Sequence, residues 1–555
     1  VTSTLYRNGV IHSSADPFAE ALLVDDGVVV WVGAEDTAAG LAARADRVID
    51  LDGALVAPGF VDAHVHTLET GLSLESVDLS ATGASRVQAL DAVAAGARGM
   101  DGVDPDGDEV LLAFGWDERA WGPDGAPTAA ELDAAAGGRP VYATHADATS
   151  AVVSTSLATA AGLERLPGWD PSGLVTGQAL NAARTYAQTL PPARRTRAYQ
   201  AALARAASLG IVAVHEMSAP HTDTRDGLRE LVAMTSTDGD TVPTLPQVLA
   251  YRGELVESAD EVRELMAELP FLRGVAGDVN VDGSIGSRTA AMRQPYADQV
   301  ALPGSGDPTG LLYLTAQEIG AHLAACSEAG VQGGFHVVGD RAMDELVKGL
   351  DVAAEYLGGG ALRAARHRVE HAQLVDAGAL ASLLLHGISL SIQPAFDSTW
   401  GRGGGLYSSR LGAARAGNMA PFADLQSAGI PLAFGSDAPV TPLDPWQAVR
   451  AAITHEDESQ RLSARAAFRA HTRGGWRLAG LDSTGAGELR VGSPAHLAVW
   501  RAPEYVVQSS GRGLSSWSQE ARAGQPLLPD LGPAAEEPVC LQTVRAGVPV
   551  YDTFE

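Results

Sequence analysis

Residues 53–67 read GALVAPGFVDAHVHT, an apolar run that closes on two histidines one residue apart, His64 and His66. In a β-strand, residues i and i+2 leave on the same face, so both imidazoles emerge side by side where the run ends. A pair so placed suits one bound ion. Strands that end in ligand-type residues also point to a parallel barrel, because its C-terminal strand ends converge on one mouth.

Working outward from this pair, the chain divides by pattern. Before it, TLYRNGVIH (4–12), EALLVDDGVVVWVG (20–33) and RVIDLDGALVAPG (47–59) alternate short apolar runs with Asn-Gly and Asp-Gly turns, a hairpin signal. GSPAHLAVWRAP (492–503) and CLQTVRAGVPVYD (540–552) repeat that pattern near the other end. Between them, apolar runs such as IVAVHE (211–216), GGFHVVGD (333–340), RHRVEHAQ (366–373), ISLSIQPAF (388–396) and IPLAFGSDAP (430–439) alternate with Ala-rich helical stretches. This predicts an α/β fold, a (β/α)8 TIM-like barrel over 59–487, with a small β-sandwich built from 1–58 and 488–555. An open doubly wound sheet is the alternative. The segment at about 68–205 is too long for one βα unit, so an inserted lobe is expected there. Barrel strand 2 is expected in the same segment, as either EVLLAFGWDE (109–118) or PVYATHAD (140–147).

Composition narrows the function. Asp and Glu outnumber Lys and Arg by 68 to 39 in 555 residues, and a formal charge of −29 repels a phosphate backbone, so no nucleic-acid partner is expected. Two cysteines, Cys326 and Cys540, are too few for a disulfide framework or a Cys-rich metal site. No run reaches the ~20 apolar residues of a membrane span and no leader-like pattern opens the chain, so a cytoplasmic enzyme acting on a small molecule is expected, with a homodimer as the expected assembly. A G-x-S-x-G elbow, an H-E-x-x-H pair and a Walker A lysine are all missing. The Gly-rich GRGGGLYSSR (401–410) reads as a flexible loop near the site.

Further ligand types close later strands: His215 and Glu216 after IVAV, His336, His371 and Asp437. Taken singly, His215, His322, His386 and His471 read as hydrogen-bonded core residues. His64, His66, His336, His371 and Asp437 read together as a metal site, since imidazole and carboxylate suit a borderline divalent ion such as zinc.

APGFVDAHVHT, FHVVGDRA, HRVEHAQL and PLAFGSDAPVTPLDP closely resemble the amidohydrolase superfamily, in particular its long branch that includes N-substituted formamide deformylases. DGSIGSRTAAMRQPYAD (282–298) and GWDERAWGPDGAPTAAELDAA (115–135) are similar to that branch too. The resemblance implies that the same five residues hold metal on strands 1, 5, 6 and 8. Two positions depart from the branch. Its bridging carbamyl-lysine position is Asp278 here, in GDVNVDGS, and the sole lysine, Lys348, lies in a helical stretch; a usual His is replaced by Thr149. One tightly bound zinc-type ion is therefore expected, a second surviving only if the backbone brings Asp278 inward or Glu216, assigned to strand 3, takes over the bridge.

The expected reaction is hydrolysis of an amide or formamide-type C–N bond. Asp437 handles the proton, and His336 or His371 steadies the oxyanion. Trp116, Asp282, Arg288, Gln393 and Trp400, in strand-end loops, are the expected substrate-pocket residues. A deaminase on the same metal site and a catalytically silent binding module are the competing readings.

Overall fold

Eight apolar runs lie side by side in one parallel sheet: β1 (Phe60–Val65), β2 (Ile211–Ser218), β3 (Gln247–Arg252), β4 (Gly274–Val275), β5 (Gln332–Val337), β6 (Arg368–His371), β7 (Ser389–Ile392) and β8 (Leu432–Phe434). The computed structural model describes residues 3–80, 85–100, 104, 109–119, 121, 125–237, 242–298, 307–508, 517–518, 525–532 and 534–554. Positions 120 and 122–124 of the stretch beginning GWDERAW, and 509–516 and 519–524 of the C-terminal segment, lie outside the described residues.

The sheet curls until its edges meet. Val65 bridges Ala438 in parallel, and the Asp437 amide donates to the His64 carbonyl at 2.8 Å. Asp62 fastens the same seam, its Oδ1 accepting from the amides of Ser436 (2.9 Å) and His64 (3.2 Å). β1 and β2 are buried at every residue, as strands are when the barrel interior lies on one side and helices on the other. The fold is thus a TIM-like α/β barrel with additional sheets.

Barrel strand 2 is a correction. EVLLAFGWDE and PVYATHAD supply Leu111–Trp116 and Val141–His145, and both pair within a separate five-stranded sheet with Val77–Asp78, Ala151–Val153 and Leu174–Val175. The second barrel strand is IVAVHE, so the whole inserted lobe lies between β1 and β2 and Glu216 stands on strand 2. Both lobe strands are apolar and parallel to each other, the pattern of barrel strands, so periodicity does not separate them.

Strands from both chain ends share one sheet, in the order Val10–Ile11, Leu55–Pro58, Leu497–Arg501, Val539–Arg545 and Val548–Asp552. A four-stranded sheet of N-terminal runs faces it. Tyr6, Leu22, Val29, Val56, Leu497 and Val544 belong to the core they enclose. Among the described residues no helix is long and apolar enough to cross a membrane.

Candidate metal centre and active-site cavity

Six side chains from five strand ends converge at the barrel mouth: His64 on β1 and His66 just after it, Asp278 after β4, His336 on β5, His371 on β6 and Asp437 after β8. His64 Nε2 lies 3.4 Å from Asp437 Oδ1 and 3.7 Å from Asp278 Oδ1. His66 Nε2 lies 3.3 Å from Asp437 Oδ1 and 3.4 Å from Asp278 Oδ2. Four donors each about 2.0–2.1 Å from one tetrahedral zinc ion would stand about 3.3 Å apart, so the spacing fits a shared cation. The buried His64 Nε2 has no hydrogen-bond partner in the protein, which is how a ligand atom is left.

The electrostatics agree with that fit. Burial works to lower the pKa of His66, but Asp278 and Asp437 outweigh it and raise it to about 10. Burial opposes the charge on Asp278, yet His66, His64 and His336 hold its carboxyl well below the usual range. Burial together with His336 brings His371 down to about 3, so its imidazole is neutral and offers a lone pair. Two ligand positions also have unusual backbone conformations, φ of 70° at His371 and 56° at Asp437, in the left-handed region that non-glycine residues seldom adopt.

Behind the donors, acceptors orient the rings. His64 Nδ1 donates to Glu370 Oε2 at 2.9 Å, His371 Nδ1 to Gln393 Oε1 at 2.8 Å, and His336 Nε2 to the Gly283 carbonyl at 3.2 Å. Each bond fixes which ring nitrogen faces the centre. Glu370 is fully buried and gripped by Arg368, at 2.5 Å from Nε and 2.9 Å from Nη2. Neither was singled out from the sequence, although a charged pair at i and i+2 inside an apolar strand is a readable signal. His215 joins this interior network by accepting from Arg368 Nη1 at 3.1 Å. His322 and His471 bond backbone carbonyls of Val275 and Val61, and His386 pairs with Asp351.

A cavity of about 870 Å3 opens over the centre. Its walls include Leu180 and Asn181 of the lobe and Leu312 and Tyr313 ahead of β5. A small side pocket of about 40 Å3 reaches His336, His371 and Asp437 and is walled by Phe396, Trp400, Leu406 and Tyr407, the last two from the Gly-rich stretch. Of the residues expected to face substrate, Trp400 does line this pocket, and Gln393 stands behind His371. The other three face elsewhere, because their polar groups are already engaged. Trp116 Nε1 donates to the Ala143 carbonyl inside the lobe. Asp282 is fully buried and accepts the amides of Ala291, Val338 and Gly339. Arg288 holds Asp298 at 2.7 Å. Glu216, named as an alternative bridge, accepts the Thr67 amide at 2.8 Å, and burial raises its pKa to about 7. Thr149 bonds Ser284 at 2.6 Å on the cavity wall.

Residues 47–551 match the amidohydrolase family. The chain belongs to that family. It is 26% identical to the putative amidohydrolase YtcJ of Bacillus subtilis, over 85% of this chain and 89% of that one. It is 25% identical to Protein LONG AFTER FAR-RED 3 of Arabidopsis thaliana, over 94% and 88%. Among solved structures it resembles an uncharacterized metal-dependent hydrolase from Pyrococcus furiosus, with a TM-score of 0.65 and 26% identity over 90% of this chain and 98% of that one. The likeness to N-substituted formamide deformylase of Arthrobacter pascens is narrower than the motifs implied: 42% identity over 62 residues, 11% of each chain. The protein is thus an amidohydrolase-family hydrolase with metal-dependent relatives.

Proposed function

We propose that this amidohydrolase cleaves the C–N bond of a small, uncharged, largely apolar amide, with His64, His66, His336, His371 and Asp437 holding zinc or a similar divalent ion. The observation that carries the reading is the 3.3–3.7 Å spacing of His64 and His66 from Asp437 and Asp278, with His371 within ligand reach of His64 and Asp437 and His336 within reach of His371 and Asp278. A cation held there would supply a lowered pKa for water and polarisation of a carbonyl oxygen. Asp437 takes the proton of the attacking water and delivers it to the leaving nitrogen. His336 and His371, whose other ring nitrogens bond Gly283 and Gln393, turn their remaining nitrogens toward the centre as lone-pair donors to the cation.

Charge pairing in the cavity supports an uncharged substrate. Among its described lining residues Arg184 is the one Arg or Lys, and it already meets Glu69 at 3.2 Å. Glu254 is paired with Arg225 and Arg252, and Asp147 with His145. Away from the proposed metal, a substrate carboxylate would find no unpaired Arg or Lys among the described lining residues, whereas Leu255, Leu312 and Tyr313 offer apolar surface. The test is a panel of formyl and acetyl amides with apolar N-substituents, set against the same compounds carrying a carboxylate. Amine release from the neutral series alone is expected. Ammonia release from amino-substituted rings, without amide cleavage, would favour the deaminase reading instead.

A further inference from the structure

Two cavities of very different size meet at the barrel mouth. His336, His371 and Asp437 line both the wide cavity of about 870 Å3 and the side pocket of about 40 Å3. An amide whose carbonyl sits at these residues therefore extends one flank into each. A water-sized group needs roughly 10–15 Å3 of free space, so the side pocket holds about three of them. One flank of the substrate has to be short.

The packing of the pocket wall keeps that limit. The His371 ring stacks on Phe396 with 5.9 Å between centroids and 10° between planes, Phe396 lies 5.0 Å from Trp400, and Trp400 meets Tyr407 edge-on at 6.1 Å. Phe396, Trp400, Leu406 and Tyr407 are all buried, and Ile285 and Val338 join them in one apolar cluster. Side chains packed in this way resist an extra methylene rather than open for it. Asp147, Thr149 and Ser284, also on the wall, bond one another and so hold a polar chain weakly.

The order in which the products leave decides which flank is short. Water gives its oxygen to the acyl carbon and a proton to the nitrogen, so hydrolysis yields a carboxylate, which stays at the centre, and an amine, which departs as a cation. The amine needs the open route. The wide cavity supplies it, with Glu69, Glu254 and Asp278 on its wall and Arg184 the one Arg or Lys among its described lining residues. An amine in the side pocket would be shut in behind the acid. We infer that the side pocket is the acyl subsite, where Phe396, Trp400 and Leu406 restrict the substrate to aliphatic acyl groups of about two to four carbons, the N-substituent occupying the wide cavity. This rests on the amide-hydrolase reading above and adds to it which end of the substrate is selected, and by which residues.

Two matched series test it: N-benzyl amides running from formyl through acetyl, propionyl, butyryl and hexanoyl to benzoyl, and acetamides of methylamine, butylamine, octylamine and benzylamine. From formyl to butyryl, kcat/KM should rise roughly 4-fold per carbon, the worth of a buried methylene. At hexanoyl and benzoyl it should fall by roughly 10-fold or more, the cost of overfilling a packed site, whereas the acetamides should show no such cutoff. Trp400→Ala should raise the ratio of hexanoyl to butyryl turnover by roughly 10-fold, as the void left by a large side chain admits the longer chain. Leu406→Ala should move the same ratio in the same direction, and it decides the matter should Trp400→Ala fail to fold. Isothermal titration of parent and variants with butyrate and hexanoate reads the cutoff without turnover. A cutoff set by the amine, equal rates along the acyl series, or a cutoff that neither variant moves overturns the inference and leaves amide hydrolysis standing. Cleavage of no amide in either series overturns both.

Discussion

Asp437 stands where the left-handed backbone after β8 aims a carboxylate between two imidazoles, and its proposed role as proton carrier depends on a charge that an amide lacks. Asp437→Asn is expected to lower kcat by roughly 10²–10⁴-fold, the usual worth of general acid–base catalysis, while circular dichroism shows a folded barrel. Near-parental turnover would remove Asp437 from that role. His64→Ala combined with His66→Ala should lower metal content and activity together with little change in Tm, because strand-end ligands contribute less to folding than strand cores do. At this scale the sequence was legible where ligand types end apolar runs, as at His64, His66, His336, His371 and Asp437. It was less legible where position depends on the path of a loop. The reach of Asp278 follows from the turn after a two-residue β4, and the burial of Asp282 from three amides donated by distant segments.

Elements decide whether these residues meet. Strands with long apolar runs could be read directly, but β4, only Gly274–Val275, is too short to show a period, and the lobe strands imitate barrel strands. The lobe is fastened to the barrel through His145, which donates from Nδ1 to Asp147 at 2.7 Å and from Nε2 to Glu118 at 3.2 Å. Asp147 accepts from Ser284 and Ser287 after β4, and Glu118 pairs with Arg410 after β7. Burial alone would lower the His145 pKa; Asp147 and Glu118 outweigh it and raise it to about 10. A pKa raised on folding stabilises fully below the unfolded value, about 6.5, and that contribution is lost as pH climbs through about 10. Limited proteolysis of the lobe should therefore accelerate between pH 7 and pH 10.5, and His145→Gln should flatten the change. Equal pH dependence in both proteins would contradict the fastening. β1 and β8 meet just as closely: a Cβ on Gly435 would fall 2.6 Å from the His64 amide nitrogen and 2.9 Å from its Cβ. Gly435→Ala should therefore displace His64 and weaken metal retention, measured by elemental analysis after dialysis.

For the whole molecule, a charge of −29 carries only the expectation that polyanions are disfavoured, while the pairing of cavity charges behind the proposed uncharged substrate emerges only in three dimensions. A tight ion should also stabilise the fold, because a ligand at ~1,000 times its dissociation constant contributes about 4 kcal/mol. Chelation should accordingly lower Tm, and zinc should restore it. The central claim is that hydrolysis of a neutral amide depends on a cation held at the barrel mouth. Stripping the metal with a chelator, assaying amide cleavage and returning Zn2+ in steps tests it most directly. Cleavage should vanish with the metal and return in proportion to the ion rebound, whereas cleavage that persists in protein shown by elemental analysis to be metal-free would contradict the account.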